Sequence, residues 1–413
     1  MNSNWKRMKL IDVIHKTETI NPQKNPDSGF EYIDVSSICN KRFVIQETST
    51  VLGKDAPSRA RKLVRTGDVL FATVRPTLKR IAQVPEYLDG QVCSTGYFVL
   101  RPKEFVEGKF LFYFLFTEHF MGAMEGLQKG ASYPAVNDGE VSSQTILLPP
   151  IDEQKRIVGI LDEAFEDCDR VIRNTEKNLA NSRKLFESYL NAIFTQKEDT
   201  WVEKKLGDAE LIQIIDGDRG TNYPQKSDFY PEGYCLFLNT KNVRPDGFNF
   251  DTTMFITEEK DNLLRKGKLK RRDVILTTRG TIGNIAIYDD NVEFDHIRIN
   301  SGMLVFRPNE KIIKSEYLFE ILRSALMKSQ IKKFTSGAAQ PQLPIKTLVN
   351  FSLPVPKKLE DQSQIISNLQ ELYTETQRLE TIYKQKLTAL KELKQSILQK
   401  AFTGKLATDS LRC

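Results

Sequence analysis

At 413 residues the chain has room for two or three domains with sizeable cores. Its 40% hydrophobic and 28% charged content is that of an ordinary soluble protein, and no apolar run approaches the roughly 20 residues a membrane-spanning helix needs. The formal charge of +6 permits a nucleic-acid partner without demanding one. The five cysteines (Cys39, Cys93, Cys168, Cys235, Cys413) form no CxxC pair and the three histidines (His15, His119, His296) lie far apart, which argues against a zinc site or a disulfide framework.

From the N-terminus, Met1–Leu10 carries Trp5, Lys6, Arg7 and Lys9 but no apolar signal-peptide core, so the expected location is the cytoplasm. Ser36-Ser37 follow a predicted strand. Val69–Thr73 is a short apolar run after a turn, hence a strand. It leads into the loop Thr73–Arg80 (TVRPTLKR), where a proline-fixed turn sits beside Arg75, Thr77, Lys79 and Arg80. Gly96–Leu100 reads as a strand closed by Arg-Pro, because proline cannot donate to a ladder. Phe110–Phe116 reads as a helix, and Lys129–Asn137 (KGASYPAVN) as a loop holding Lys129, Ser132 and Tyr133.

After Pro149-Pro150 the pattern changes. Apolar or small residues fall at Ile157, Leu161, Ala164, Cys168, Val171, Thr175, Asn178, Ser182, Leu185, Tyr189 and Ala192, in alternating steps of four and three. That heptad rhythm marks a long helix packed on another helix, with Asp152 and Glu153 placing negative charge at its start.

The elements then come round again. WVEKKL from Trp201 echoes WKRMKL from Trp5, and DVILTTRGTIGNIA from Asp273 echoes DVLFATVRPTLKRIA from Asp68. NSGMLVFRP from Asn300 matches STGYFVLRP from Ser94, and GAAQPQL from Gly337 matches GASYPAV from Gly130. LPVPKKLEDQ from Leu353 matches LPPIDEQ from Leu148, and SILQKAFTGK from Ser396 matches SYLNAIFTQK from Ser188. Six blocks in one order at a near-constant offset indicate an internal duplication, domain–helix–domain–helix. The smaller offset at the tryptophans calls for an insertion in the second copy, placed at the polar loop around Gly217–Gly233, which holds Arg219, Asn222 and Tyr223. Within the second copy, Lys241-Asn242 follow a predicted strand, and Lys268, Lys270, Arg271 and Arg272 form a basic cluster. The strand Val274–Thr278 leads into Arg279, Gly280, Thr281 and Gly283. Gly302–Phe306 is a strand, Tyr317–Leu322 a helix, and Ser336–Leu343 a loop with Gln340 and Gln342. Past Pro354-Val355-Pro356 a second heptad stripe runs Ile365, Leu369, Leu372, Thr376, Leu379, Tyr383, Lys386, Leu390, Leu393 and Ile397, with Gly404 as its stop.

The expected fold class is therefore α+β. Two homologous mixed α/β domains, 1–149 and 199–354, are separated by two long helical segments, 150–198 and 355–413. Each helix is roughly 65–70 Å long at 1.5 Å per residue. Connectivity favours antiparallel pairing as a coiled coil, with the domains at opposite ends of a rod and a pseudo-twofold relation between them. Such a pair suits duplex DNA, with reading heads about one helical turn (~34–36 Å) apart. Because the copies differ in sequence, the two half-sites should differ too.

The repeat layout, LPPIDEQ with its counterpart LPVPKKLEDQ, and the endings Phe194–Lys197 and Phe402–Lys405 resemble Type I restriction-modification specificity subunits over essentially the whole chain. The resemblance implies that the two mixed domains are target recognition domains for double-stranded DNA. It implies that the helices set the gap between half-sites and bind two methyltransferase subunits, with restriction subunits joining that core. It further implies N6-adenine methylation with S-adenosylmethionine held by the methyltransferase, and ATP and Mg in the restriction partner, leaving no cofactor or metal in this chain. The insertion of Lys357-Lys358-Leu359 leaves the start of the second helix open.

Within the heads, arginine can fork to guanine, glutamine can meet an adenine edge, and lysine, serine or threonine can hold phosphates. The DNA-facing candidates are Ser36, Ser37, Arg75, Thr77, Lys79, Arg80, Lys129, Ser132 and Tyr133 in the first copy. In the second they are Arg219, Asn222, Tyr223, Lys241, Asn242, Lys270, Arg271, Arg279, Thr281, Gln340 and Gln342. The competing reading of each is a solvated hairpin or a loop packed on its own domain, and a charge run is usually a solvated face. No GxxxxGK[ST] loop and no methyltransferase signature is present, so the chain is read as non-catalytic. Asp152, Glu153 and Lys155, superficially a nuclease cluster, sit within one helical turn and read as dipole-favoured first-turn residues. Two other readings stand beside this one: a coiled-coil scaffold that binds only proteins, and the DNA-reading part of a Type II-like restriction enzyme.

Overall fold

The computed structural model describes residues 4–195, 200–245, 247–334 and 342–406. The chain divides into two compact units, Met1–Glu176 with Gln385–Cys413, and Lys177–Lys384. Each holds one copy of the repeat and a stretch of both long helices, Ile151–Thr195 and Leu359–Phe402. The second helix thus starts at Leu359, directly after a strand, Ser352–Pro356, and two bend residues.

In the first unit an antiparallel sheet runs in the order Ile14–His15, Tyr97–Pro102, Val69–Ala72, Ile81–Gln83. All four residues of Val69–Ala72 are buried, because the strand is covered on both faces, which is why it reads as a continuous apolar run. On one face, Val69 and Phe71 join Phe110, Phe120, Ile157 and Leu161 with Ile397, Leu398 and Phe402 in one core. On the other, Leu70 and Ala72 join Ile33, Ile38 and Tyr97. A second sheet, in the order Ser49–Leu52, Gly29–Ile33, Val92–Ser94, Ala60–Leu63, contains one parallel pair, Gly29–Ile33 beside Val92–Ser94. Lys6–Lys9 pairs with Thr145–Leu148 and closes the copy.

The second unit repeats this topology. Its sheet runs Ile212–Asp216, Met303–Pro308, Val274–Thr277, Ile285–Ile287. Cys235–Leu238 lies parallel to Ile297–Ile299, and Trp201–Lys205 pairs with Ser352–Pro356. The segment joining the first two shared strands spans 16–28 in one copy and 217–234 in the other, so the insertion falls where the offset change places it. Arg-Pro ends the long central strand in both copies.

Buried polar bonds recur with the topology. Arg101 forks onto Asp68 (Nε 3.0 Å, Nη2 2.9 Å) and Arg307 onto Asp273 (2.8 and 2.7 Å), with both carboxylates 1% exposed. Gln154 and Gln362, both fully buried, fasten each domain to the first turn of its helix. Gln154 accepts from the Glu107 N–H (2.8 Å) and donates to the carbonyls of Phe105 (3.0 Å) and Pro149 (2.8 Å). Gln362 accepts from the Lys314 N–H (2.9 Å) and donates to Ile312 (2.9 Å) and Pro356 (3.2 Å).

Inside the units the long helices pair as expected, but the stripe shifts. In the first unit Lys394 Nζ donates to Asp169 (2.6 Å). In the second, Arg183 meets Glu380 (3.2 Å) and Phe186 meets Tyr373 (ring centroids 5.5 Å), an antiparallel progression. Ile157, Leu161, Cys168, Thr175 and Ser182 are buried, whereas Leu185, Tyr189 and Leu393 are exposed, and Phe186, Leu190 and Phe194 turn inward instead. A strict 3.5-residue stripe drifts by about 20° per heptad on a straight α-helix. By Phe194 the helix faces the second domain, where that ring packs on Tyr317 (5.6 Å). Among the described residues no helix is long and apolar enough to cross a membrane.

Candidate nucleic-acid interface

Three loops meet at one end of the first domain. Thr73, buried at the end of its strand, donates both its N–H (2.9 Å) and its Oγ1 hydroxyl (3.0 Å) to the Gly96 carbonyl, which fixes where the 73–80 loop leaves the sheet. That loop is zipped to 129–136. The Arg75 N–H donates to Pro134 O (2.7 Å), the Val136 N–H donates to Thr73 O (3.0 Å), and Val74 pairs with Ala135. Arg75 adopts the left-handed conformation (φ 50°), and its guanidinium lies over the Tyr133 ring (4.8 Å to the centroid) with Nη2 donating to Ser132 O (3.3 Å). Pro76–Leu78 form a 3₁₀ turn presenting exposed Thr77, and Lys79 is left-handed as well (φ 53°). The third loop, Asp34–Ser37, is held by the buried Tyr97 hydroxyl, which donates to Asp34 O (2.8 Å) and Val35 O (3.1 Å). Burial pushes the Tyr97 phenol well above its ordinary range, so that hydroxyl keeps its proton and stays a donor.

The second domain builds the same junction with different side chains. Thr278 donates its N–H (2.8 Å) and hydroxyl (3.1 Å) to Gly302 O, and the Leu343 N–H donates to Thr278 O (3.0 Å). Arg279 pairs across with Gln342, and both are exposed. Arg219 Nη2 reaches Asp216 (3.1 Å) and Ser301 O (3.3 Å), next to the Gly302 carbonyl that receives the Arg279 N–H (3.3 Å). Lys241 is exposed on the turn after Cys235–Leu238, equivalent to Ser36 in the first copy. Thr281 is exposed beside them.

Arg75, Thr77, Lys79, Ser132 and Tyr133 are therefore brought together in one domain, and Arg219, Lys241, Arg279, Thr281 and Gln342 in the other. Lys129 is exposed at the base of its loop, 3.6 Å from Glu140, and Ser36 donates to Asp34 (3.1 Å). Gln340 lies outside the described residues. Several other candidates are bonded or packed within their own domain. Ser37 is buried under its turn, and Arg80 points inward, with Nη1 donating to Val35 O (2.6 Å). Asn242 is 1% exposed and ties its own turn together through Asn249 O (3.1 Å) and Thr252 O (2.8 Å). Tyr223 packs edge-on against Phe237 (5.8 Å), and Asn222 donates to Leu263 O (3.3 Å). Arg271 lies over Tyr288 (4.3 Å) and bonds the Asp289 and Val292 carbonyls (2.6 and 2.8 Å), while Lys270 and Arg272 of that run are exposed. A polar residue after a strand reads alike whether it caps its own turn or faces outward, which is why sequence alone could not separate these.

Two features were missed. Lys41 and Arg42 are exposed at the tip of a hairpin between Ile38–Cys39 and Val44–Ile45, and Arg42 lines one cleft with Lys79, Phe116 and Lys394. The signal was the pair of basic residues between two short apolar runs. The other is the backbone strain at Arg75 and Lys79, legible only once Gly280 and Gly283 are seen at the equivalent places (φ 73° and 91°).

A family model for the Type I restriction modification DNA specificity domain matches residues 2–181 and again 198–389. The chain is 26% identical over 338 residues to the Type I restriction enzyme MjaVIII specificity subunit of Methanocaldococcus jannaschii, covering 78% of this chain and 76% of that one. It is 24% identical over 304 residues to the EcoBI specificity subunit of Escherichia coli, covering 67% and 62%. Among solved structures, the HsdS subunit from Thermoanaerobacter tengcongensis is 30% identical, with a TM-score of 0.69 over 98% of both chains. A chain from work on complex assembly and conformational transition of the type I R-M system is also 30% identical, with a TM-score of 0.85 over 98% of this chain and 99% of that one.

Proposed function

The chain belongs to the Type I restriction modification DNA specificity family, and on that premise we propose that it is the DNA-reading subunit of such an enzyme, each repeat reading one half of an asymmetric, interrupted target. The observation that carries this reading is the duplicated loop junction. The same backbone bonds, Val136 to Thr73 and Leu343 to Thr278, present different side chains: Arg75, Lys79 and Tyr133 in one domain, Arg279, Thr281 and Gln342 in the other. An identical frame with different exposed groups is what two unlike half-sites require, since phosphate contacts position a reader and base-edge contacts specify it. The chain contributes no catalytic group to this scheme. It recruits two methyltransferase subunits, which hold S-adenosylmethionine and methylate adenine, and restriction subunits that use ATP and Mg join them, all in the cytoplasm.

The test is a genome-wide map of methylated adenine in cells making the methyltransferase subunit with and without this chain. A bipartite, asymmetric target methylated only when the chain is present is the expected result. Identical methylation in both cells sinks the reading. A purified complex whose DNA affinity is indifferent to salt does so as well, because a reader contacting several phosphates loses affinity steeply as salt rises.

A further inference from the structure

Three positions in the two copies exchange glycine for a long basic residue in the left-handed region: Arg75 for Gly280, Lys79 for Gly283, and Gly67 for Arg272. A side chain in that region costs about 1 kcal/mol, so a non-glycine residue there needs a reason. Arg272 has a structural one, since its guanidinium pairs with Glu316 and lies 3.8 Å from Asp290. Arg75 has no carboxylate partner among the described residues. It is exposed, lies over the Tyr133 ring (4.8 Å to the centroid) and is steadied by one bond to Ser132 O (3.3 Å). Gly280 shows that the loop closes without any side chain at this place, so the strain at Arg75 holds the guanidinium where it is rather than building the turn.

We propose that Arg75 reads a guanine in the half-site of the first domain, with Tyr133 as the residue that positions it. The planar fork of arginine matches guanine O6 and N7, and a fork already held over an aromatic ring loses little freedom on binding. In the second domain the arginine stands one residue earlier, at Arg279, opposite Gln342 in an antiparallel bridge and with its N–H on Gly302 O, so that half-site is read by a different geometry. The inference rests on the DNA-reading function proposed above.

The experiment maps methylated targets with the assembled methyltransferase carrying the unsubstituted chain, Arg75→Ala, Arg75→Gly, Tyr133→Ala or Arg279→Ala. Arg75→Gly guards against misfolding, because glycine is the residue the second copy uses there, and thermal melts check each fold. The expected result is that both Arg75 variants lose discrimination, by about tenfold to a hundredfold, at one G·C pair in one half-site. Tyr133→Ala weakens the same position, and Arg279→Ala alters only the other half-site. A target that keeps every base while all sites are methylated more slowly makes Arg75 a phosphate contact and overturns the inference. So does a first half-site without a G·C pair, or a change in the half-site that Arg279 controls. If the unsubstituted chain directs no target at all, the DNA-reading function itself fails, and this reading fails with it.

Discussion

Replacing Gln154 by alanine tests whether the buried amide fastens the first domain to its helix. The side chain is fully buried and makes three hydrogen bonds of 2.8–3.0 Å, to the Glu107 N–H and to the carbonyls of Phe105 and Pro149. Each buried backbone group left without a partner costs about 1–3 kcal/mol, and carbonyls suffer less because they have a second lone pair. One orphaned N–H, two weakened carbonyls and a small void together give a loss of about 3–5 kcal/mol. Urea denaturation of the full chain, followed by circular dichroism, measures it. Gln154→Met fills the void without restoring the bonds, so it should lose most of the same stability. A loss below about 1 kcal/mol for alanine would refute the clamp, and a methionine variant as stable as the parent would assign the effect to volume rather than to hydrogen bonding. Gln362→Ala should behave alike in the second domain, where the same three kinds of partner are present.

Three further outcomes follow from the same structure. Asp261 is completely buried, and although burial opposes its charge, Lys268 and Arg298 hold the carboxyl below its ordinary range. Its folded value lies below the unfolded one, near 3.9, so its contribution is full above about pH 4 and is lost as pH falls through the folded value. Asp261→Asn, which strands the buried Arg298, should lose about 3–5 kcal/mol at pH 7. In acid titrations of stability it should fall less steeply than the parent, and parallel curves would contradict the pairing. Asn242→Ala should lower the melting temperature while leaving the methylated target unchanged; a changed base would return Asn242 to the reading surface. Gly217→Ala would place a Cβ 2.3 Å from the Asn300 carbonyl, so the backbone beside Arg219 must shift, at about 1–3 kcal/mol in a melt. An unchanged melt would mean the loop yields freely there.

The topology was legible because a duplicated chain supplies its own comparison. The matched blocks fall on matched strands, Val69–Ala72 with Val274–Thr277 and Tyr97–Pro102 with Met303–Pro308, and most of the change of offset falls on an enlarged loop, 217–234 against 16–28. The helix stripe was legible up to Ser182 and failed at Leu185 and Tyr189, because a heptad count assumes the partner is always the other helix. There the helix turns toward the core of the second domain. The loop residues were half legible. Spacing placed the 73–80 and 129–137 loops opposite 278–284 and 336–343, with Val74 matched to Arg279 and Arg75 to Gly280, but whether a polar side chain bonds inward depends on carbonyls several to many residues away. Asn242 finds Asn249 and Thr252, Arg80 finds Val35, and nothing in their local sequence announces it.

What the two copies share and what they have exchanged follow one physical rule. The shared groups are buried polar pairs, Asp68 with Arg101 and Asp273 with Arg307, Gln154 and Gln362 on their carbonyls, Thr73 and Thr278 on their glycine carbonyls. Changing one partner of such a pair leaves a buried group unsatisfied, at about 1–3 kcal/mol or more. The exchanged positions are exposed or left-handed stations such as Arg75 and Gly280, where a substitution costs about 1 kcal/mol of backbone strain and no buried bond. A domain of this build can therefore alter what its loops present without loosening the frame that holds them. That asymmetry of cost lets one ancestral head become two readers of unlike DNA while keeping a single fold.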